Sequence, residues 1–160
     1  MKRLMPLLAF STLVAQQAVH TAPEQRQFDF WVGRWEVKDK AGMVLGSNVV
    51  ESLLGGKVLQ EHWQGTKGGG GTSLNAYLPG KKVWHQTWVD DQGSVLELEG
   101  GLEGASMVMS GETTTQMGRQ LERISWTPLP DGRVRQFWQQ SLDGGVSWKP
   151  VFEGYYRRIP

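Results

Sequence analysis

From Val32 to Ile159 the chain alternates apolar and polar residues in short runs, each closed by a turn rich in Gly or Pro. The runs are Val32–Asp39, Met43–Ser52, Lys57–Gln64, Thr72–Leu78, Lys82–Asp90, Ser94–Glu99, Ala105–Gly111, Gln120–Thr127, Arg133–Ser141 and Ser147–Ile159. Period-two alternation is the mark of strands whose two faces meet different surroundings. The breakers between them include Lys40-Ala41-Gly42, Gly55-Gly56, the four glycines Gly68 to Gly71 as a hairpin tip, Pro79-Gly80 and Asp91-Gln92-Gly93. These are turn-forming residues, and no helix longer than a turn is predicted. Connections this short join sequential neighbours, which makes a meander. A meander of about ten strands leaves two exposed edges unless it closes on itself, so the pattern predicts an all-β, antiparallel up-and-down barrel over a β-sandwich.

Two stretches lie outside that rhythm. Residues 1–22 have the form of a secretion signal: Lys2 and Arg3 at the start, then the apolar run Leu4 to Ala15, too short to span a bilayer. Ala18 and Ala22 are the candidate last residues of the leader, and residues 23–160 are then the mature domain, periplasmic or secreted. Residues 23–31 are a polar lead-in that ends in Phe28, Phe30 and Trp31.

The 160 residues suffice for one domain with one core. With 17 Lys and Arg against 16 Asp and Glu, no charge excess draws the chain to nucleic acid or an anionic membrane. The absence of Cys excludes disulfides, thiolate metal sites and a Cys nucleophile. The pairing of 21 Gly with 8 Trp suits antiparallel β structure with tight turns and a few large core pieces.

The Gly33-Arg34-Trp35 triplet entering the first run resembles the opening of lipocalins and other calycin barrels. More of the chain, from about residue 27 to 159, is similar to a family of small bacterial proteins of unknown function. The matching segments are Phe28-Asp29-Phe30-Trp31-Val32-Gly33-Arg34-Trp35, Trp84 to Asp90, Ser141 to Trp148 and Tyr156-Arg157-Arg158. The resemblance implies a lipocalin-like barrel with Trp35 closing one end and a late basic residue packed across it. Parity favours Arg158, which shares a face with Phe152 and Tyr156, over Arg157. Asp29 stands where secreted lipocalins carry Asn, so no lipocalin ligand class is implied. The segment Ser141 to Trp148 also resembles the Asp-box hairpin of sialidases. That resemblance implies a turn lock, with Asp143 accepting turn N–H bonds, Gly145 at positive φ and Trp148 packed beneath, and no glycosidase chemistry.

Alternation within the runs selects candidate site residues. One face carries Trp84, Gln86 and Trp88; neighbouring runs offer Leu59, Glu61 and Trp63; Ser73, Asn75 and Tyr77; and Val134, Gln136 and Trp138. A structural core seldom interleaves Glu, Asn and Gln with aromatics, because buried polar groups cost stability unless paired. Such a mixture is normal in a ligand cavity. The candidate ligand-binding set is Glu61, Trp63, Asn75, Tyr77, Trp84, Gln86, Trp88 and Trp138. The alternative is a filled barrel in which the aromatics pack the centre and the polar groups bond one another.

Other chemistry is weakly supported. His62 and His85 fall on the faces opposite these sets, and no metal site or cofactor is expected from them. No Ser lies in a G-x-S-x-G turn, and Lys67 precedes the glycines that it would follow in a phosphate-binding loop. Glu61 is the one candidate acid or base. The sequence therefore predicts an exported barrel that binds a small, partly apolar molecule, with no membrane span. An enzyme working through Glu61 and a filled scaffold are the competing readings. A drug-sized ligand would require a lumen of about 300 Å3 or more.

Overall fold

The computed structural model describes residues 22–116 and 118–160, so the expected leader lies outside the described residues except for Ala22. Two short 3-10 turns, Pro23–Arg26 and Asp29–Trp31, precede the strands. The strands are β1 (Gly33–Lys38), β2 (Val44–Leu53), β3 (Val58–Gly65), β4 (Gly70–Leu78), β5 (Val83–Asp90), β6 (Val95–Glu103), β7 (Ser106–Thr115), β8 (Gly118–Pro128), β9 (Val134–Ser141) and β10 (Lys149–Arg158). Each pairs antiparallel with its sequence neighbours, and β1 pairs with β10, so the sheet is a closed up-and-down barrel. Among the described residues no helix is long and apolar enough to cross a membrane.

The expected strands are all present, but three boundaries move. Strand β6 does not stop at Glu99; it runs through Gly100 and Gly101 to Glu103. A Cβ on Gly100 would stand 2.0 Å from the Val108 carbonyl oxygen, so this glycine permits close backbone approach within the ladder and does not mark a turn. Strand β7 likewise continues past Gly111 to Thr115. Of the four glycines expected as one hairpin tip, only Gly68 and Gly69 take positive φ in the turn, and Gly70 and Gly71 open β4. That tip is tied to the β5–β6 turn, since the Gly70 N–H donates to the Asp91 carboxylate (2.8 Å) and the Asp91 N–H to the Gly70 carbonyl (2.9 Å).

Antiparallel order puts the lead-in at one end, with the β2–β3, β4–β5, β6–β7 and β8–β9 turns, and the remaining turns at the other. The lead-in plugs its end. Phe28 stacks on Trp31 (centroids 4.9 Å apart) and meets Trp84 and Trp126 edge-on at 5.7 and 5.2 Å, and all four rings are buried. The Trp84 indole N–H donates to the Glu24 carbonyl (3.2 Å) and the Gln27 side-chain oxygen (3.3 Å), which fixes the plug to the wall.

Barrel closure is pinned at the same end. Trp35 is paired with Arg158 across the β1–β10 seam and is fully buried. Its indole N–H donates to the Trp31 carbonyl (2.9 Å). The exposed Arg158 guanidinium lies 4.4 Å from the Trp35 ring centroid and donates to the Val32 carbonyl (2.8 Å). Gly33 makes room for it: its φ is +149°, and a Cβ there would stand 2.2 Å from Arg158 Nη1. Arg157 points outward to Glu36 (2.8 Å).

At the opposite end the β9–β10 turn is held by Asp143. Its carboxylate accepts bonds from the Ser147 N–H (2.9 Å), the Ser147 hydroxyl (2.5 Å) and the Ser141 hydroxyl (2.7 Å), which hold it well below the usual carboxylate range. Gly145 has φ +94°, the Trp148 indole donates to the Gly145 carbonyl (3.1 Å), and Arg123 covers the Trp148 ring at 4.2 Å. The carboxylate is fully committed to the turn.

Removing a buried indole loses its burial and leaves a cavity, which costs about 3–5 kcal/mol. An exposed guanidinium over a ring contributes about 0.5–1 kcal/mol. Trp35→Ala is therefore expected to lower the urea midpoint several times more than Arg158→Ala, and equal shifts would contradict this ordering.

Candidate functional site

Three layers fill the barrel interior. Next to the plug, the inward positions are apolar. Midway, β2, β3, β4 and β5 each turn a polar side chain inward, and β9 and β10 add two more. The alternation that orients Glu61 inward sends Gln60 and His62 out, and the same holds for Gln86 between His85 and Thr87. His62 is exposed, and His85 lies on the outer wall 3.4 Å from Glu99, so neither reaches the lumen. Among the described residues no three His, Asp or Glu side chains converge as a metal site.

The polar layer is a continuous hydrogen-bonded belt. Asn48 donates to one Glu61 oxygen (2.8 Å) and the Ser73 hydroxyl to the other (2.7 Å). The Asn75 amide donates to the Ser73 hydroxyl (2.9 Å), and the Gln86 amide donates to the Asn75 side-chain oxygen (2.7 Å). On the far side of β1 from Asn48, the Tyr156 hydroxyl of β10 donates to the Gln136 side-chain oxygen of β9. Asn48, Glu61, Ser73, Asn75, Gln86 and Tyr156 are all buried.

Among the described residues no cation pairs with Glu61. Burial raises its carboxyl to about 7, and the Ser73 and Asn48 bonds, which favour the charged form, only partly oppose that. Desolvation wins because both partners are neutral. The Tyr156 phenol is pushed up by burial and then by the Glu61 charge, with the Asn48 side chain opposing.

Against the belt lies a cavity of about 100 Å3, which also touches Trp126 of the plug. Glu61, Gln86 and Gln136 contribute its polar lining, and Trp63, Trp88 and Trp138 lead its aromatic lining. Phe152 meets Trp63 edge-on at 5.9 Å. Two indoles lie flat on glycines of the adjoining strand. A Cβ on Gly46 would stand 2.6 Å from Trp63, and one on Gly71 2.2 Å from Trp88. A second buried carboxylate, Glu122, accepts the Trp138 indole N–H (2.6 Å) together with bonds from Thr113 (3.0 Å), Gln120 (2.7 Å) and Gln140 (3.2 Å).

Of the eight sequence candidates, Glu61, Trp63, Gln86, Trp88 and Trp138 line this cavity. Asn75 stands behind it, bonded to Gln86, while Trp84 belongs to the aromatic plug and Tyr77 meets Trp84 edge-on at 6.3 Å. Tyr77 lies near the end of β4 and Trp84 near the start of β5, so both rings stand at the end that the lead-in fills. Sequence reasoning did not select Asn48, Tyr156 or Glu122. Parity contained a signal for each, since Asn48 alternates with Gly46 and Val50, Glu122 with Ile124 and Trp126, and Tyr156 with Phe152 and Gly154. The cavity is well below drug size because indoles and belt side chains fold into the lumen. No family model matches the chain, and no curated protein matches it.

The raised Glu61 carboxyl has a consequence for stability. The folded state holds the proton more tightly than the unfolded chain. The stabilisation is complete below the ordinary Glu value near 4.5 and is lost as pH rises through about 7. A shift of that size corresponds to up to about 3 kcal/mol. Glu61→Gln should gain on wild type between pH 5 and pH 8 by about 2–3 kcal/mol in urea unfolding. A difference independent of pH would show that Glu61 titrates normally.

Proposed function

We propose that this protein is an exported barrel that binds a small, partly apolar molecule in its lumen, between the indoles of the mouth and the polar belt. The observation that carries the reading is the cavity of about 100 Å3, with Trp63, Trp88 and Trp138 on its walls and Glu61, Gln86 and Gln136 supplying polar groups. A mostly apolar pocket with a few placed polar groups is the usual form of a small-molecule site. An engineered apolar cavity of about 150 Å3 admits benzene, so the enclosed part of this ligand is no larger than one small ring or branched head group. Partial exposure of Trp63, Trp88, Trp138 and Phe152 is consistent with entry from the open end.

Export is part of the same reading. It rests on Lys2, Arg3 and the apolar run Leu4 to Ala15. Amino-terminal sequencing of protein from its own host is expected to find a start between Val19 and Gln27, and intact Met1 on cytosolic protein would exclude export.

One observation favours a second reading. Burial pushes the Glu61 carboxyl up to about 7 beside Tyr156, the condition in which a carboxyl group serves as general acid or base. Recovering a bound molecule unchanged after long incubation with stoichiometric protein supports the binding reading, and its conversion supports the enzyme.

Tryptophan fluorescence with acrylamide tests the site. In the empty protein, quenching that disappears in Trp88→Phe is expected, with protection of that component once a ligand is added. Complete shielding of Trp88 in the empty protein would leave only the filled scaffold.

A further inference from the structure

The lumen combines two features that together specify charge. Its walls include indole and phenyl rings, and among the described residues its buried ionisable groups besides Tyr156 are the carboxyls of Glu61 and Glu122. Among the described residues no Lys, Arg or His lines the cavity, and neither Glu61 nor Glu122 is in an ion pair. A buried carboxylate without a counter-charge is costly, and a cation entering the lumen relieves that cost. Glu122 acts in the same direction from behind the wall. Its carboxylate accepts the Trp138 indole N–H at 2.6 Å, which adds electron density to a ring that faces the cavity. Aromatic faces attract cations through their quadrupole, most strongly where water is excluded.

Resting on the ligand-binding reading above, we propose that the cavity takes a methylated ammonium head group, held by cation–π contacts with Trp63, Trp88 and Trp138 over the Glu61 carboxyl. Hydrogen-bond accounting selects this class of cation. Each Glu61 oxygen accepts one bond, from Asn48 or Ser73, so Glu61 keeps its charge and about half of its lone pairs. The rest of the lining is aromatic or aliphatic, a setting that favours methyl groups over the water-stripped N–H groups of a primary ammonium or a bare metal ion. A quaternary ammonium has no N–H to satisfy and presents methyl groups to the rings. The enclosed volume of about 100 Å3 suits a head group of that size, with its tail directed to the mouth.

A proton is linked to this binding. Glu61 is packed against Asn48 of β2, Ser73 of β4 and Tyr156 of β10, of which Tyr156 alone is titratable, and its phenol stays neutral well above pH 8. The cation therefore favours ionised Glu61, and affinity rises as pH goes from 6 to 8.

The test compares choline with its uncharged carbon isostere, 3,3-dimethylbutan-1-ol, by calorimetry and tryptophan fluorescence on the mature chain at pH 6 and pH 8. Choline is expected to bind at least about tenfold more tightly than the isostere at pH 8. That ratio is expected to shrink at pH 6 and in Glu61→Gln. If the isostere matches or exceeds choline, the cation inference falls and the ligand-binding reading stands. If neither binds and Trp88 is shielded from acrylamide, both fall. Failure of choline to bind in any form of the experiment overturns the inference. A preference for choline that survives Glu61→Gln unchanged removes Glu61 from it.

Discussion

Everything in this molecule depends on β1 meeting β10. A ten-stranded meander gains nothing from its interior until the first and last strands pair, because until then the lumen is an open groove and two edges carry unpaired N–H and C=O groups. The seam is short, running from Trp35 opposite Arg158 to Lys38 opposite Tyr155. Its strength comes from what is packed at one end. Trp35 is buried under the Arg158 guanidinium, Gly33 leaves the space for that guanidinium, and the Val32 and Trp31 carbonyls accept from the two side chains. The contact joins residues at opposite ends of the domain, so it forms only when the whole sheet has closed.

Closure then decides what the interior can be. The lead-in turns its aromatics into the closed end, and Phe28, Trp31, Trp84 and Trp126 occupy the volume that would otherwise extend the lumen. What remains is the mid-barrel belt and the aromatic mouth. The belt has the connectivity of a filled core, since Glu61, Ser73, Asn75 and Gln86 bond one another in series. It also has an open side, on which Glu61 and Gln86 face the cavity. A bonded core and an open lumen, the competing expectations from sequence, thus describe two sides of one layer. Carboxyls without cations are the asymmetric part of it. Interior packing alone has no use for them, because an apolar side chain of similar volume fills space at lower cost.

The sequence by itself determined the strands and the topology. Ten alternating runs separated by Gly and Pro turns leave no length for crossovers, so neighbours pair in order and the edges close. It determined the inward faces as well, because period two assigns each side chain a side, and Glu61, Gln86, Trp88, Trp138 and Arg158 follow from that count. Glycines misled it at Gly70, Gly100 and Gly111, where they serve close approach inside a ladder. Depth along the barrel axis was left to the tertiary structure. Parity does not say how far a residue stands from either end, so Trp84 and Trp88 looked equivalent, yet one joined the plug and the other the cavity wall. The protonation of Glu61 was left to it too. A carboxyl's titration depends on what surrounds it in space, and the neutral Asn48 and Ser73 that enclose it come from two other strands.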